Sequence, residues 1–200
     1  MEMLFDGDGF TVGRIVTPPL DNNVYLITCT ETGASLIVDA ASDPDAVIAM
    51  SSGTEVIGVA TTHGHWDHHG AIPEVTDSLG APFMLHADDV DLADKIPDVL
   101  LTEGELTIGD VTAQVLSTPG HTQGSVCIAL DGVVLTGDTL FPGGPGATRF
   151  DHSSFDAIIE SITTQLFSLP GDTIVFPGHG ASTTIATEQP HLSEWIERGW

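Results

Sequence analysis

The chain has 200 residues, 41% of them apolar, which is ample for the core of one large domain or two small ones. Its 29 acidic residues face only four lysines and arginines, a formal charge of −25 that repels nucleic acid and anionic membranes and argues against both as partners. No apolar run approaches the ~20 residues needed to span a bilayer, and the acidic start Met1-Glu2-Met3-Leu4-Phe5-Asp6 lacks the basic segment of a secretory signal. We therefore expect a cytoplasmic protein with neither nucleic acid nor a membrane as partner, and we expect a monomer or homodimer. A charge this extreme also suits a saline environment.

Phe10 to Val16 alternates loosely and reads as a first strand, ended by Pro18-Pro19. Asn23–Cys29 and Ala34–Asp39 flank the turn-like Thr30-Glu31-Thr32-Gly33 and read as a hairpin. Ser42-Asp43-Pro44 carries the signature of a helix start, with the helix running through Met50 to about Gly53. Glu55–Thr61 is a strand, Ala71–Leu79 a helix closed by Gly80, and Pro82–His86 a short strand followed by a helix from Ala87 to Ala93. The polar stretch from Asp94 to Glu105 reads as a loop, with the link between two halves of the chain near Asp94–Thr102. Gly109-Asp110 and Asp131-Gly132 are hairpin turns between apolar runs. Phe155, Ile158, Ile159, Ile162, Leu166 and Leu169 have the spacing of one long helix with a buried face. Thr173–Phe176 is the last strong strand, and Pro190–Trp195 a closing helix. Periodicity alone gives an α/β protein with mixed sheets, and residues 1–200 show no sign of a second domain. Cys29 and Cys127 each sit in an apolar run and read as buried free thiols.

Four of these elements end in residues of one chemical kind. After the strand Val56–Ala60 comes Thr61-Thr62-His63-Gly64-His65-Trp66-Asp67-His68-His69-Gly70. Pro119-Gly120 leads into His121, Val133–Gly137 into Asp138, and Ile174–Gly178 into His179. Imidazole and carboxylate are ligands for zinc and also for iron or manganese. A lone histidine is more often structural. Four apolar runs or turns, each delivering such a side chain at its C-terminal side, reverse that judgement.

H-x-H-x-D-H followed in order by P-G-H-T, G-D-T and P-G-H-G resembles the metallo-β-lactamase-fold superfamily, most closely its short glyoxalase II-like thioester hydrolases. The likeness runs from Asn23 to about Gly180. It implies a four-layer αβ/βα sandwich, two mixed β-sheets packed together with helices outside. It implies two divalent metal ions, zinc first among them, one on His63, His65 and His121, the other on Asp67, His68 and His179, with Asp138 bridging. A hydroxide shared by the metals would attack the carbonyl of a thioester, and Asp67 and Asp138 could orient it. Relatives that reduce oxygen at a di-iron centre carry a carboxylate where this chain has His65, which favours hydrolysis. A lactonase or β-lactamase could use the same site. So, in part, could a persulfide dioxygenase with one iron on the positions matching His63, His121 and Asp138. A scaffold with a disused site is disfavoured by the presence of all seven ligand-type residues.

The Gly- and Pro-rich Phe141–Gly146 is the expected pocket wall. Arg149 beside it could pair with a substrate carboxylate or with surface acids. His152 could face substrate or begin the long helix, and Trp66 could line the pocket or pack. His69, His86 and His191 read as structural. Full-length glyoxalase II enzymes hold glutathione with a C-terminal helical region; here a short tail follows His179 with Arg198 its one basic residue, so that form of recognition is not expected.

Overall fold

In the computed structural model, which describes residues 1–199, the two halves of the chain each build one sheet. The first contains β1 (Glu2–Asp6), β2 (Phe10–Thr17), β3 (Asn22–Cys29), β4 (Ala34–Val38), β5 (Glu55–Ala60), β6 (Phe83–His86) and β7 (Val99–Leu101), side by side in chain order. Strands β1 to β4 pair antiparallel through short turns. Strands β4 to β7 pair parallel, and parallel pairing demands long crossovers. These carry α1 (Pro44–Met50), then α2 (Trp66–His69) and α3 (Ile72–Leu79), then a 3₁₀ turn at Ala87–Leu92. The second half gives β8 (Gly104–Ile108), β9 (Val111–Ser117), β10 (Val126–Leu130) and β11 (Val133–Gly137), and a separate small hairpin of β12 (Leu140–Phe141) and β13 (Gly144–Pro145). Then come α4 (Phe155–Ser161), β14 (Ile174–Pro177), β15 (Thr183–Thr184), α5 (Ile185–Glu188) and α6 (Leu192–Arg198). The second sheet is ordered β15-β14-β11-β10-β9-β8, with β14 parallel to β11.

Side-chain alternation along the strands sorts the interior into layers. Tyr25, Ile27, Leu36 and Val38 of the first sheet meet Ile128, Val133, Leu135 and Phe176 of the second in one central core. Their neighbours point the other way. Val24, Leu26 and Ile37 pack beneath α1 and α3 with Val47, Ile72 and Val75. Cys127, Val134 and Val175 pack beneath α4 and α6 with Ile158, Ile162 and Trp195. Both faces of each sheet are therefore covered, which is why β4, β10 and β11 are buried at every residue. The layers run helix, sheet, sheet, helix.

Several expected elements differ in detail. The stretch Asp94–Glu105 is not a loop throughout: β7 and the start of β8 lie in it, and the chain passes between sheets at Thr102 and Glu103. These are edge strands with alternate residues in solvent, so they lack the continuous apolar signal of the central ones. β1 is likewise an exposed edge strand, paired to β2. The long helix from Phe155 is α-helical only to Ser161, and Ile162–Leu166 winds as a π-helical turn. Cys29 and Cys127 are buried and unpaired.

Candidate metal centre

The parallel pairs place the C-terminal ends of β4 and β5, and of β11 and β14, at one rim of the sandwich. All four strands deliver a polar residue there: Asp39 after β4, the His63–His69 segment after β5, Asp138 after β11 and His179 beyond β14. The turn after β9 adds His121. The seven residues expected as ligands meet at this rim.

His65 Nδ1 lies 3.1 Å from His63 Nε2 and 2.9 Å from His121 Nε2, so three nitrogens face one point. Tetrahedral zinc with nitrogen ligands needs edges of about 3.3 Å. On the other side, Asp67 Oδ2 is 3.5 Å from His68 Nε2 and 3.3 Å from His179 Nε2. Asp138 stands between the groups, Oδ1 3.4 Å from His68 Nε2 and Oδ2 3.6 Å from His121 Nε2 and 3.8 Å from His179 Nε2. His68 Nε2 and Asp138 Oδ1 are buried, yet neither has a hydrogen-bond partner. Unpaired buried polar atoms are costly unless something else satisfies them. With Nδ1 committed to Asp39, a neutral His68 offers Nε2 as an acceptor opposite Asp138 Oδ1, and such a pair fits a cation between its members.

Partners behind the ligands fix which nitrogen turns inward. Thr62 Oγ1 donates to Asp39 Oδ2 at 2.9 Å, so it accepts from His63 Nδ1 at 3.1 Å. His68 Nδ1 donates to Asp39 Oδ2 at 3.0 Å, His121 Nδ1 to the Ala147 carbonyl at 2.7 Å, and His179 Nδ1 to the Leu20 carbonyl at 3.1 Å. Each leaves Nε2 as a lone pair toward the centre, the arrangement a metal-binding imidazole requires. Asn22 Nδ2 donates to Asp67 Oδ2 at 3.0 Å.

A sequence model of the metallo-β-lactamase superfamily matches residues 17–179, a span that contains every one of these residues. The chain belongs to the metallo-β-lactamase superfamily. It is 30% identical to a probable metallo-hydrolase, YqgX, of Bacillus subtilis, over 88% of this chain and 93% of that one. It is 34% identical to a hydroxyacylglutathione hydrolase of Rhodospirillum rubrum, over 80% of this chain but only 62% of that enzyme's length. Solved superfamily structures similar to it include the BLEG-1 B3 metallo-β-lactamase, with 30% identity, a TM-score of 0.84 and coverage of 90% and 97%. TTHA1623 in a di-iron-bound form has 31% identity and a TM-score of 0.78, covering 88% and 96%. ETHE1 from Myxococcus xanthus has 29% identity and a TM-score of 0.82, covering 90% and 82%. The protein is thus a metallo-β-lactamase-fold hydrolase related to glyoxalase II.

Electrostatics divide this superfamily site in two. Burial, with repulsion from His68 and His121, keeps His63 well below the ordinary imidazole range, and burial with neighbouring His121 and His152 brings His65 down to about 4. Burial also lowers His121, against the pull of Asp138. These three rings are neutral at neutral pH. Burial opposes charge on His68 too, but Asp138 and Asp39 outweigh it and hold His68 well above its usual value. Burial of Asp67 is outweighed by its hydrogen bond from His179 and by the charge of His68, and Asp138 is lowered against burial chiefly by His68. These shifts favour a proton on His68 in the metal-free site, one that metal binding would displace.

A cavity of about 710 Å³ opens over the centre. Phe141–Gly146 forms one wall, as expected, and Trp66, Arg149 and His152 line it too. Trp66 is 59% exposed and so does not pack into the interior. Arg149 lies over the Phe150 ring at 5.8 Å. Arg198, at the end of α6, also reaches the wall, as do Leu20 and Phe150. His69, buried, holds the ligand loop through the Gly64 carbonyl at 3.2 Å. His86 caps the 3₁₀ turn by accepting from Asp88 N at 3.3 Å, and His191 lies 3.4 Å from Glu194. Both sit outside the centre.

Two buried carboxylates escaped sequence reading. Asp39 accepts from Thr62 N at 2.7 Å besides its contacts to Thr62 Oγ1 and His68. It ends an apolar strand as Asp138 does, and that shared pattern was its only signal. Asp89, fully buried, accepts from Gly64 N and Gly124 N at 2.7 Å each and from Thr122 Oγ1 at 2.6 Å. It clamps the His63–His65 loop to the His121 turn. In sequence it is one acid among Asp88, Asp89 and Asp91.

Proposed function

We propose that the protein is a dinuclear metallo-hydrolase of thioesters. His63, His65 and His121 would hold one metal and Asp67, His68 and His179 the other, with Asp138 between the two groups available to both. The observation that carries the reading is the pair of ligand groups sharing Asp138, with His68 Nε2 and Asp138 Oδ1 buried and unpartnered between them. Zinc suits these donors best, and iron or manganese fit the same set. Two bound ions would supply an acidified water near neutral pH and a Lewis acid for a carbonyl.

The chain's own residues do the remaining work. Asp67, held by Asn22, is placed to orient a nucleophilic water. The apolar walls at Trp66, Leu20, Phe141 and Phe150 take the acyl or thiol portion and exclude bulk water from it. Arg149, for which no carboxylate lies within ion-pair distance among the described residues, is placed to receive a substrate carboxylate. No serine or cysteine nucleophile is needed.

The thioester preference is supported by the relation to hydroxyacylglutathione hydrolases. A second reading, a lactonase or β-lactamase, is favoured by the likeness to BLEG-1. A panel of acyl-thioesters, lactones and nitrocefin separates them. The largest kcat/KM is expected on a thioester and is abolished by chelator. A lactone or nitrocefin turned over faster than every thioester overturns the substrate assignment while leaving the metal centre intact.

A further inference from the structure

We infer that His152 is a positioning residue of this centre, the hydrogen-bond partner that makes His65 present Nδ1 to the metal. The inference rests on the dinuclear reading above. His65 is the odd ligand of the five. The other four histidines turn Nε2 inward, each held by an acceptor on Nδ1. His65 is reversed: its Nδ1 is the atom close to His63 Nε2 and His121 Nε2, so its outward nitrogen is Nε2. That atom lies 3.0 Å from His152 Nε2, its one outward hydrogen bond among the described residues.

The protons follow. If the Nδ1 lone pair of His65 faces a metal, the neutral ring carries its hydrogen on Nε2 and donates it. His152 Nε2 must then accept, and His152 carries its own hydrogen on Nδ1. His152 thus serves His65 as Asp39 serves His68.

His152 is itself held in place. Its ring stacks on Phe150 with centroids 5.5 Å apart and planes 5° from parallel, and Phe150 packs edge-on against His65 at 5.0 Å. Its carbonyl accepts from Gln123 Nε2 at 3.0 Å, and Ser154 N donates to the Gly120 carbonyl at 2.7 Å. The segment after the pocket wall is thereby fastened to the turn that carries His121. A purely substrate-facing histidine would not need its ring nitrogen directed at a ligand.

The test compares wild type, His152→Ala and His152→Gln, each loaded with cobalt(II) and titrated with a competing chelator, with absorption spectra and steady-state kinetics alongside. In His152→Ala, one of the two cobalt ions, the one on three imidazoles, should bind about 10–100-fold more weakly and change its visible absorption, while the other is unchanged. His152→Gln, whose amide oxygen can accept from His65, should recover most of both. Wild-type affinity and spectrum in His152→Ala, with only KM altered, overturns the assignment in favour of substrate contact. A lowered melting temperature of metal-free His152→Ala, with no rescue by glutamine, overturns it in favour of a structural role. Failure of the dinuclear reading is seen separately, as a wild-type protein that takes up fewer than two ions.

Discussion

Asp138 stands between the two halves of the centre, its oxygens facing His68 on one side and His121 and His179 on the other. Asp138→Ala should lower kcat by more than about 100-fold, beyond what loss of an outer partner costs. Arg149→Ala should act mainly on KM, since Arg149 lines the cavity and touches no ligand. Equal loss of kcat in the two variants would contradict these roles. Asp39→Asn keeps the volume but removes the charge behind His68, and metal affinity should fall about 10–100-fold; equilibrium dialysis at fixed pH measures it, and an unchanged affinity would remove Asp39 from the centre. The convergence of the seven candidate ligands was legible because each is an imidazole or carboxylate just beyond an apolar run or turn. Asp39 obeyed the same pattern but was absorbed into its strand. Asp89, Leu20 and Arg198 reach the site only through tertiary folding, and nothing local distinguishes them.

At the scale of elements, the centre exists because two parallel strand pairs end at the same rim. Central strands such as β4, β10 and β11 were legible as continuous apolar runs because both faces are covered. Edge strands β1, β7 and β8 were not, because one face meets water and their polar residues resemble a loop. The π-helical turn at Ile162–Leu166 keeps the apolar spacing of a continuous helix, so periodicity could not mark the change. The close approach of β14's end to β11 also leaves no room beside Gly178: a Cβ there would meet Asp138 Oδ1 and the His68 ring. Gly178→Ala should therefore leave the metal-free fold intact by circular dichroism yet weaken metal binding at least about tenfold. The clamp between two loops makes a different demand. Asp89→Ala strands the buried N–H groups of Gly64 and Gly124, while the Thr122 hydroxyl keeps Ser125 Oγ, and should lower unfolding free energy by about 2 kcal/mol or more in a urea titration. A change below about 1 kcal/mol would show that water replaces the carboxylate.

Across the whole molecule, 29 acidic residues confront four cations, two of which, Arg149 and Arg198, line the one cavity over the metal centre. Arg14 pairs with Glu2 at 2.6 Å and Lys95 lies 4.0 Å from Asp77. The unbalanced surface repels itself at low ionic strength, so the melting temperature should rise with added salt as screening increases; a flat response would mean that the acidic groups are too dispersed to matter. No helix among the described residues is long and apolar enough to cross a membrane. Elemental analysis of protein purified without added metal or chelator tests the two-metal centre most directly. Close to two ions per chain, as zinc or a zinc and iron mixture, is the result predicted. Close to one iron per chain, with oxygen consumed on turnover of a persulfide, would contradict it.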